Sequence, residues 1–149
     1  MNEIGFFEIQ SHIDFKSLAE IMEKEKQIIG RLGEDAALEY ALQHGYTKID
    51  RNYRTPFGEI DLILLSEEEN SVIFAEVKTR TSRMFGFPED AVTASKMEHM
   101  INSAQFYMDS HYSQEQLWRI DIAAVLYNYS KKKVIEIKWM EDVTNDWDS

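Results

Sequence analysis

The chain has 149 residues, a formal net charge of −11 and no cysteine. This length corresponds to one domain with a core of its own, and the lack of cysteine excludes disulfides and thiolate catalysis. No apolar run approaches the ~18 residues of a membrane span, and the N-terminus lacks the pattern of a secretory signal. We therefore expect a cytoplasmic protein with no membrane partner.

The acidic net charge argues against a nucleic-acid partner, because phosphate backbones attract basic surfaces. The acids are unevenly placed, however, and many lie in the first 25 positions or from Glu136 onward. Between Glu76 and Arg83 the single acid is Glu76, whereas Lys78, Arg80 and Arg83 are cations. The sequence is therefore compatible with a local basic strip on the surface of an acidic protein.

Hydrophobic periodicity predicts an α/β protein with the order helix, three strands, helix, two strands. Apolar residues at helical spacing predict helices from about Gln27 to His44, followed by Gly45, and from about Thr93 to Ser110. Alternating apolar runs bounded by turn residues predict five strands. Their expected ranges are Tyr46 to Tyr53, Glu59 to Leu65, Ser71 to Thr79, Trp118 to Tyr127 and Val134 to Met140.

The same patterns divide the chain into three parts. Residues 26–140 form the predicted domain, residues 1–25 form an N-terminal extension with a weak helical pattern, and residues 141–149 form an acidic C-terminal tail. We expect the tail to be loose, because terminal segments are poorly ordered unless something holds them down.

Three charged residues interrupt the second and third strands, which otherwise look buried: Asp61, Glu76 and Lys78. Burying an unpaired charge costs several kcal/mol unless a partner or a metal compensates it. If Leu65 pairs with Val72 in an antiparallel hairpin, Asp61 falls opposite Glu76. Opposed side chains lie roughly 5 Å apart, where two carboxylates repel each other. Such a pair needs either a shared proton or a divalent cation.

A magnesium ion suits this pair, because Mg²⁺ is typically held by one or two carboxylates together with waters and phosphate oxygens. Lys78 shares a face with Glu76 and could orient an attacking water or stabilise charge in a transition state. The structural alternative is that Glu59, which falls opposite Lys78, forms an ion pair with it and leaves Asp61 as an edge residue. The combination of two carboxylates and a nearby lysine favours a site.

Two further residues have both a functional and a structural interpretation. Glu34 lies among small and apolar side chains on the first helix. It is either a third acidic ligand of the metal or an ordinary surface glutamate. Lys96 lies in the first turn of the second helix, where it could bind a phosphate or simply be solvated. Four arginines are candidate contacts to a phosphate backbone, each weak by itself: Arg51, Arg54, Arg80 and Arg83.

The remaining polar residues give no competing site. Asp121 shares a strand face with Arg119, and we expect the two to pair locally. The four histidines show no metal-ligand spacing, and the chain contains no phosphate-binding glycine loop, dinucleotide fingerprint or nucleophile elbow.

Several segments follow one another as they do in a known family: "GRLGEDAALEYALQHGY", "RNYR", "GEIDLI", "FAEVKTR", "FGFPEDAV", then Lys96 and "RIDIAAV". Over roughly Lys26 to Tyr127 the chain resembles the YraN-like endonuclease family, which belongs to the PD-(D/E)XK restriction-endonuclease-like superfamily. The resemblance implies a restriction-endonuclease-like core of helix, three strands, helix and strand, with a mixed central sheet and one extra C-terminal strand. Ile60 stands where the name of the motif has proline.

The resemblance also implies roles for individual residues. Asp61, Glu76 and Lys78 match the metal-and-lysine signature, Glu34 matches the helix-borne glutamate, and Lys96 matches the lysine of the second helix. The implied activity is Mg²⁺- or Mn²⁺-dependent hydrolysis of phosphodiester bonds in DNA, with branched or damaged DNA as candidate substrates and a homodimer as a candidate assembly. Two alternatives remain: a non-catalytic nucleic-acid-binding module that keeps the nuclease fold, and a protein-interaction domain.

Overall fold

The computed structural model describes residues 14–81 and 92–146. Within them the helices are α1 (Phe15–Gln43) and α2 (Ala94–His111), and a short 3-10 helix covers Val143–Asp146. The strands are β1 (Thr47–Thr55), β2 (Gly58–Ser66), β3 (Ser71–Thr81), β4 (Leu117–Asn128) and β5 (Lys133–Met140). The predicted order of elements is confirmed. None of the described helices is long and apolar enough to cross a membrane.

The five strands form one mixed sheet in the order β1-β2-β3-β4-β5. Neighbouring strands are antiparallel except for β3 and β4, which run parallel. A parallel pair needs a long crossover connection, and the chain between β3 and β4 contains α2. The α/β class and the mixed sheet agree with the prediction.

The two helices cover opposite faces of the sheet. Ile63 and Phe74 belong to the apolar cluster beneath α2, whereas their neighbours Leu64 and Ile73 belong to the cluster beneath α1. Since alternate residues of a strand point to opposite faces, β2 and β3 are buried on both sides. This explains why both strands are almost continuously apolar, and why charges within them are conspicuous.

Helix α1 is longer than predicted and crosses the boundary proposed between residues 25 and 26. Asp14 caps its first turn by accepting a hydrogen bond of 2.7 Å from the Ser17 N–H. At the other end Gly45, with φ +88°, follows the helix as predicted. At Gly33 the helix approaches β3 so closely that a Cβ atom would lie 1.8 Å from the Thr79 Oγ1. This glycine therefore holds Glu34 next to β3.

The described part of the acidic tail packs against the domain, so the expectation of a loose tail is wrong there. Val143 is buried in the cluster beneath α2, and the Asp142 N–H donates a hydrogen bond of 2.9 Å to the Asp121 Oδ1. Glu141 accepts a hydrogen bond of 3.2 Å from the Tyr46 hydroxyl. These contacts hold the tail in place. The burial of one apolar side chain and the two hydrogen bonds offset the conformational entropy that the backbone loses when it becomes ordered.

Candidate active site

Strands β2 and β3 pair as predicted and then separate. Leu65 lies opposite Val72, and the regular pairing continues to Leu62 opposite Ala75. One residue further, the Asp61 Oδ2 accepts a hydrogen bond of 2.8 Å from the Val77 N–H, so a side chain takes over from the backbone ladder. Beyond this point β3 continues beside β4 alone as far as Thr81. The charges therefore lie where two buried strands part.

Asp61 and Glu76 lie together at this point. The Glu76 side chain is 7% exposed, and Asp61 is half-buried. Burial and the negative charge of Glu76 together raise the pKa of Asp61 to about 8, against the lowering effect of the Val77 hydrogen bond. Without a cation, the pair is therefore held together by a proton on Asp61 near neutral pH.

Two lysines converge on one oxygen of Glu76. The Nζ atoms of Lys78 and Lys96 lie 3.3 Å and 3.2 Å from the Glu76 Oε1. The interpretation of Lys96 as an ordinary solvated lysine is thus wrong, because α2 carries it to the same carboxylate. The side chains of Lys78 and Lys96 are 22% and 37% exposed, so both can also meet a ligand.

The predicted opposition of Glu59 and Lys78 is wrong. Because the β2–β3 ladder ends at Leu62, Glu59 pairs with Arg54 of β1 instead, with Nε and Oε2 3.7 Å apart. This removes the structural alternative in which Lys78 is satisfied by Glu59. Lys78 forms its ion pair with Glu76 instead.

Glu34 approaches the carboxylate pair from α1. Its side chain is 22% exposed, and burial raises its pKa, while the charge of Arg51 lowers it and the charges of Glu59 and Glu76 raise it. The amide of Asn52 lies between Glu34 and Glu59, and with the amide turned so that its nitrogen faces these acceptors, it donates to their Oε1 atoms at 2.8 Å and 3.1 Å. Asn52 was not singled out as a site residue, although it lies in the "RNYR" segment, and its place depends on a positive φ of 53° inside β1.

The predicted phosphate contacts are distributed unevenly. Arg80 lines the same cleft as the carboxylate pair, and its Nη1 donates to the Thr79 carbonyl at 3.2 Å. Arg51 is held by Asp35, with 2.7 Å between Nη1 and Oδ1. Arg54 is 90% exposed, and with Arg51 it lines a neighbouring hollow rather than the site itself. Arg83 lies outside the described residues.

A cleft of about 690 Å³ opens between α1 and β3. It contains the predicted residues Glu34, Asp61, Glu76, Lys78 and Arg80. It also contains residues that were missed: Met22, Glu25, Lys26, Ile29 and Tyr129. Met22 and Glu25 belong to the assumed extension and Tyr129 to a turn that looked merely polar, whereas Lys26 and Ile29 belong to the start of the predicted domain, where the helical pattern gave no reason to assign them to a site.

The donor set fits a hard divalent cation. Two carboxylates that repel each other are the protein ligands that Mg²⁺ or Mn²⁺ typically takes, with waters and substrate oxygens in the other positions. Across residues 14–81 and 92–146, no three His, Cys, Asp or Glu side chains are close enough to enclose a metal by themselves. Glu34 therefore acts on the pair through its charge, and an ion here would depend on outside oxygens.

The family model described as "Uncharacterised protein family UPF0102" matches residues 33–125. The chain belongs to this family. It is 33% identical over 117 residues to a UPF0102 protein of Caldicellulosiruptor saccharolyticus, covering 78% of this chain and 97% of that protein. A UPF0102 protein of Chloroherpeton thalassium is 40% identical over 103 residues, 69% of this chain and 78% of its own length. One from Persephonella marina is 36% identical over 101 residues, 68% and 85% of the two chains.

The UPF0102 match is consistent with the resemblance to the YraN-like family. It includes Glu34, Asp61, Glu76, Lys78 and Lys96. It leaves out the N-terminal half of α1 and the turn between β4 and β5. The carboxylate pair is thus within the family region, whereas part of the cleft wall lies beyond it.

Proposed function

We propose that this protein is a metal-dependent endonuclease that hydrolyses phosphodiester bonds in DNA. The observation that carries the proposal is the pair of Asp61 and Glu76, in which Lys78 and Lys96 contact Glu76 whereas no basic side chain of the described residues forms an ion pair with Asp61. A carboxylate such as Asp61, held next to a second carboxylate without a cation of its own, destabilises the fold, and a strongly perturbed carboxylate in a cleft is typical of an active site.

Asp61 and Glu76 would hold a Mg²⁺ or Mn²⁺ ion, with Glu34 assisting through its charge. When bound, such an ion polarises a phosphodiester oxygen and favours the ionisation of water. Asp61 must lose its proton for this, since a cation competes with the proton for the carboxylate.

Lys78 has the position of a residue that acts on the reacting groups. Glu76 holds its Nζ at 3.3 Å, and the remaining donors of the ammonium are free to orient a water or to stabilise negative charge on the phosphate. In the reaction the water oxygen forms a bond to phosphorus, and one ester P–O bond breaks. The leaving oxygen takes a proton, so one product ends in a phosphate and the other in a hydroxyl.

The cations around the pair would bind the substrate backbone. Lys96 contacts Glu76, Arg80 lines the same cleft, and Arg54 is exposed in the neighbouring hollow. Arg51 contributes less to this, because Asp35 and Glu34 already neutralise it. Arg83 follows in sequence after β3 and joins the proposed contacts from its position in the chain. Such contacts position a backbone without reading its sequence.

The proposal is tested by incubating supercoiled plasmid DNA with the purified protein in Mn²⁺ or Mg²⁺. The wild type should nick the plasmid, and Glu76→Ala should lower the rate on the order of 1,000-fold, since a catalytic metal stabilises the transition state by several kcal/mol. Glu68→Ala is the matched control, because Glu68 is exposed in the turn before β3. Equal nicking by wild type and Glu76→Ala would point to a contaminating nuclease and refute the site.

A filter-binding measurement on the same proteins separates catalysis from binding alone. If the wild type retains DNA but never nicks it with either metal, the chain is a binding module that has kept the nuclease fold. If it neither retains nor nicks DNA at low salt, the nuclease proposal is wrong, because phosphate contacts are strongest there.

A further inference from the structure

The turn between β4 and β5 carries three consecutive lysines, Lys131, Lys132 and Lys133. All three side chains are exposed, and within the described residues none of them forms an ion pair. The turn is tight, since the Lys131 N–H donates a hydrogen bond of 2.8 Å to the Asn128 Oδ1 and Lys132 has a φ of 53°. On a chain with a net charge of −11, three unpaired cations at one place form a local positive surface.

The strand register places this lysine turn at one end of the cleft. β3 and β4 are parallel, with Glu76 opposite Ile122 and Thr81 opposite Tyr127. The five residues from Glu76 to Thr81 span about 17 Å at ~3.3 Å per residue. The chain enters the lysine turn directly after Tyr127, so the turn continues the line that runs from the carboxylates along β3.

Cations also lie along that line. Arg80 and Lys26 line the cleft between the carboxylate pair and the lysine turn. Arg80 contributes from β3, and Lys26 contributes from α1 beside the acidic Glu25 and Glu34 of the same helix, so each wall of the cleft offers a cation to a phosphate. A phosphate backbone that passes the carboxylates would meet these cations before it reaches the lysines.

The cleft wall between the cations is apolar. Met22 and Ile29 contribute from α1, Val77 contributes from β3, and the half-buried ring of Tyr129 closes the end. The Tyr129 hydroxyl donates a hydrogen bond to Glu25, which holds the ring against α1. A duplex keeps its bases stacked inside and offers such a wall only sugar and phosphate. Unpaired bases can bury their faces on apolar and aromatic side chains.

We propose that the cleft takes a single-stranded segment of nucleic acid, an inference that rests on the nuclease function proposed above. The bases lie against Met22, Ile29 and Tyr129, and the phosphates follow Arg80 and the lysine turn. An unpaired arm of a branched DNA molecule offers the same groups as a free single strand. The combination of a basic track with a stacking surface is what sequence-independent single-strand binding requires.

The test measures binding of a labelled single-stranded 20-mer and of the blunt duplex of the same sequence, in EDTA, at several salt concentrations. The wild type should prefer the single strand by about tenfold or more. Replacing Lys131, Lys132 and Lys133 by Gln should lower single-strand affinity and reduce the slope of log K against log salt by about 2, at ~0.7 per phosphate contact. Lys132→Gln and Lys48→Gln remove the same charge, and only Lys132→Gln should weaken binding, because Lys48 lies on β1 at the far edge of the sheet.

The stacking surface is tested with Tyr129→Ala and Tyr129→Phe. Loss of the ring should weaken single-strand binding by roughly 5- to 100-fold, whereas Tyr129→Phe should keep most of it. If Tyr129→Ala does not fold, Tyr129→Phe and the lysine variants still decide the question, since the lysines are exposed and their replacement should not change the melting temperature.

The two proposals fail in different ways. If the wild type nicks DNA with Mn²⁺ but binds duplex as tightly as single strand, and the lysine variants keep the wild-type salt slope, the single-strand proposal is overturned and the nuclease stands. If the wild type neither binds nor cleaves either form, both proposals are overturned.

Discussion

Two aspartates lie in the apolar centre of the sheet, and their surroundings are opposite. Asp121 of β4 is completely buried and fully partnered: its Oδ1 lies 3.0 Å from the Arg119 Nε, and its Oδ2 accepts a hydrogen bond of 2.8 Å from the Trp139 Nε1. Asp61 of β2 has the Val77 N–H and the neighbouring carboxylate of Glu76. Within the described residues no basic side chain forms an ion pair with Asp61.

The contrast distinguishes a structural charge from a functional one. Burial lowers the pKa of Arg119, but its hydrogen bond with Asp121 and the charge of Asp121 outweigh this and hold the pKa above its usual value. The Arg119–Asp121 pair is therefore complete within the fold. The Asp61–Glu76 pair is incomplete, since burial and like charge both favour a proton that a cation could replace.

The largest stability effect should come from breaking the complete pair. Asp121→Asn leaves Arg119 buried beside a neutral group, and we expect the free energy of unfolding to fall by about 3 kcal/mol. Glu69 and Glu141 also contact Arg119 and should keep the loss near this lower end of the usual range. Urea denaturation measures the effect as a lower midpoint with an unchanged slope.

Asp61→Asn is the matched substitution for that experiment. It removes a charge that has no cation, so it should cost far less than Asp121→Asn at pH 8 in EDTA. A loss of about 3 kcal/mol in both variants would show that Asp61 is also a structural residue.

A divalent cation that binds between Asp61 and Glu76 should stabilise the fold. At 100 times its dissociation constant, Mn²⁺ should raise the free energy of unfolding of the wild type by about 2.7 kcal/mol. Asp61→Asn should abolish this stabilisation, whereas Asp121→Asn should retain it on its lower baseline. Thermal unfolding with and without Mn²⁺ measures the difference, and equal stabilisation of wild type and Asp61→Asn would place the ion elsewhere.

Over a single pH unit, the smallest effect is a pH dependence. Folded Asp61 keeps its proton up to about pH 8, whereas in the unfolded chain it titrates near 3.8, so the folded state binds more protons between these values. The contribution of Asp61 to stability should therefore fall as pH rises from about 4 to 8, by at most about 1.4 kcal/mol per pH unit.

The measurement is the stability difference between Asp61→Asn and wild type in EDTA across this pH range. Carboxylates away from Asp61 titrate in both proteins and cancel in the difference, so the difference reports Asp61 together with its neighbours Glu76 and Glu34. The variant should gain relative to the wild type with rising pH, and a constant difference would mean that Asp61 is ionised throughout.

Much of the fold and the centre of the site could be predicted from local patterns in the sequence. Strict alternation and the short turn after Ser66 were enough to place Leu65 opposite Val72 and to bring Asp61 next to Glu76. This works because a hairpin register depends on neighbouring residues and on a period of two. The same rule failed for Glu59, since a strand in the middle of a sheet can leave one partner for the other.

What the sequence determined by itself is therefore the α/β order, the hairpin and the pair of carboxylates with its lysine. The tertiary structure decided which distant groups join them. Gly33 brings α1 against Thr79 and sets Glu34 beside the pair, α2 delivers Lys96, and the parallel strands carry Tyr129 to the end of the cleft. Contacts between segments so far apart depend on how helices pack on the sheet, and no local period in the sequence records that packing.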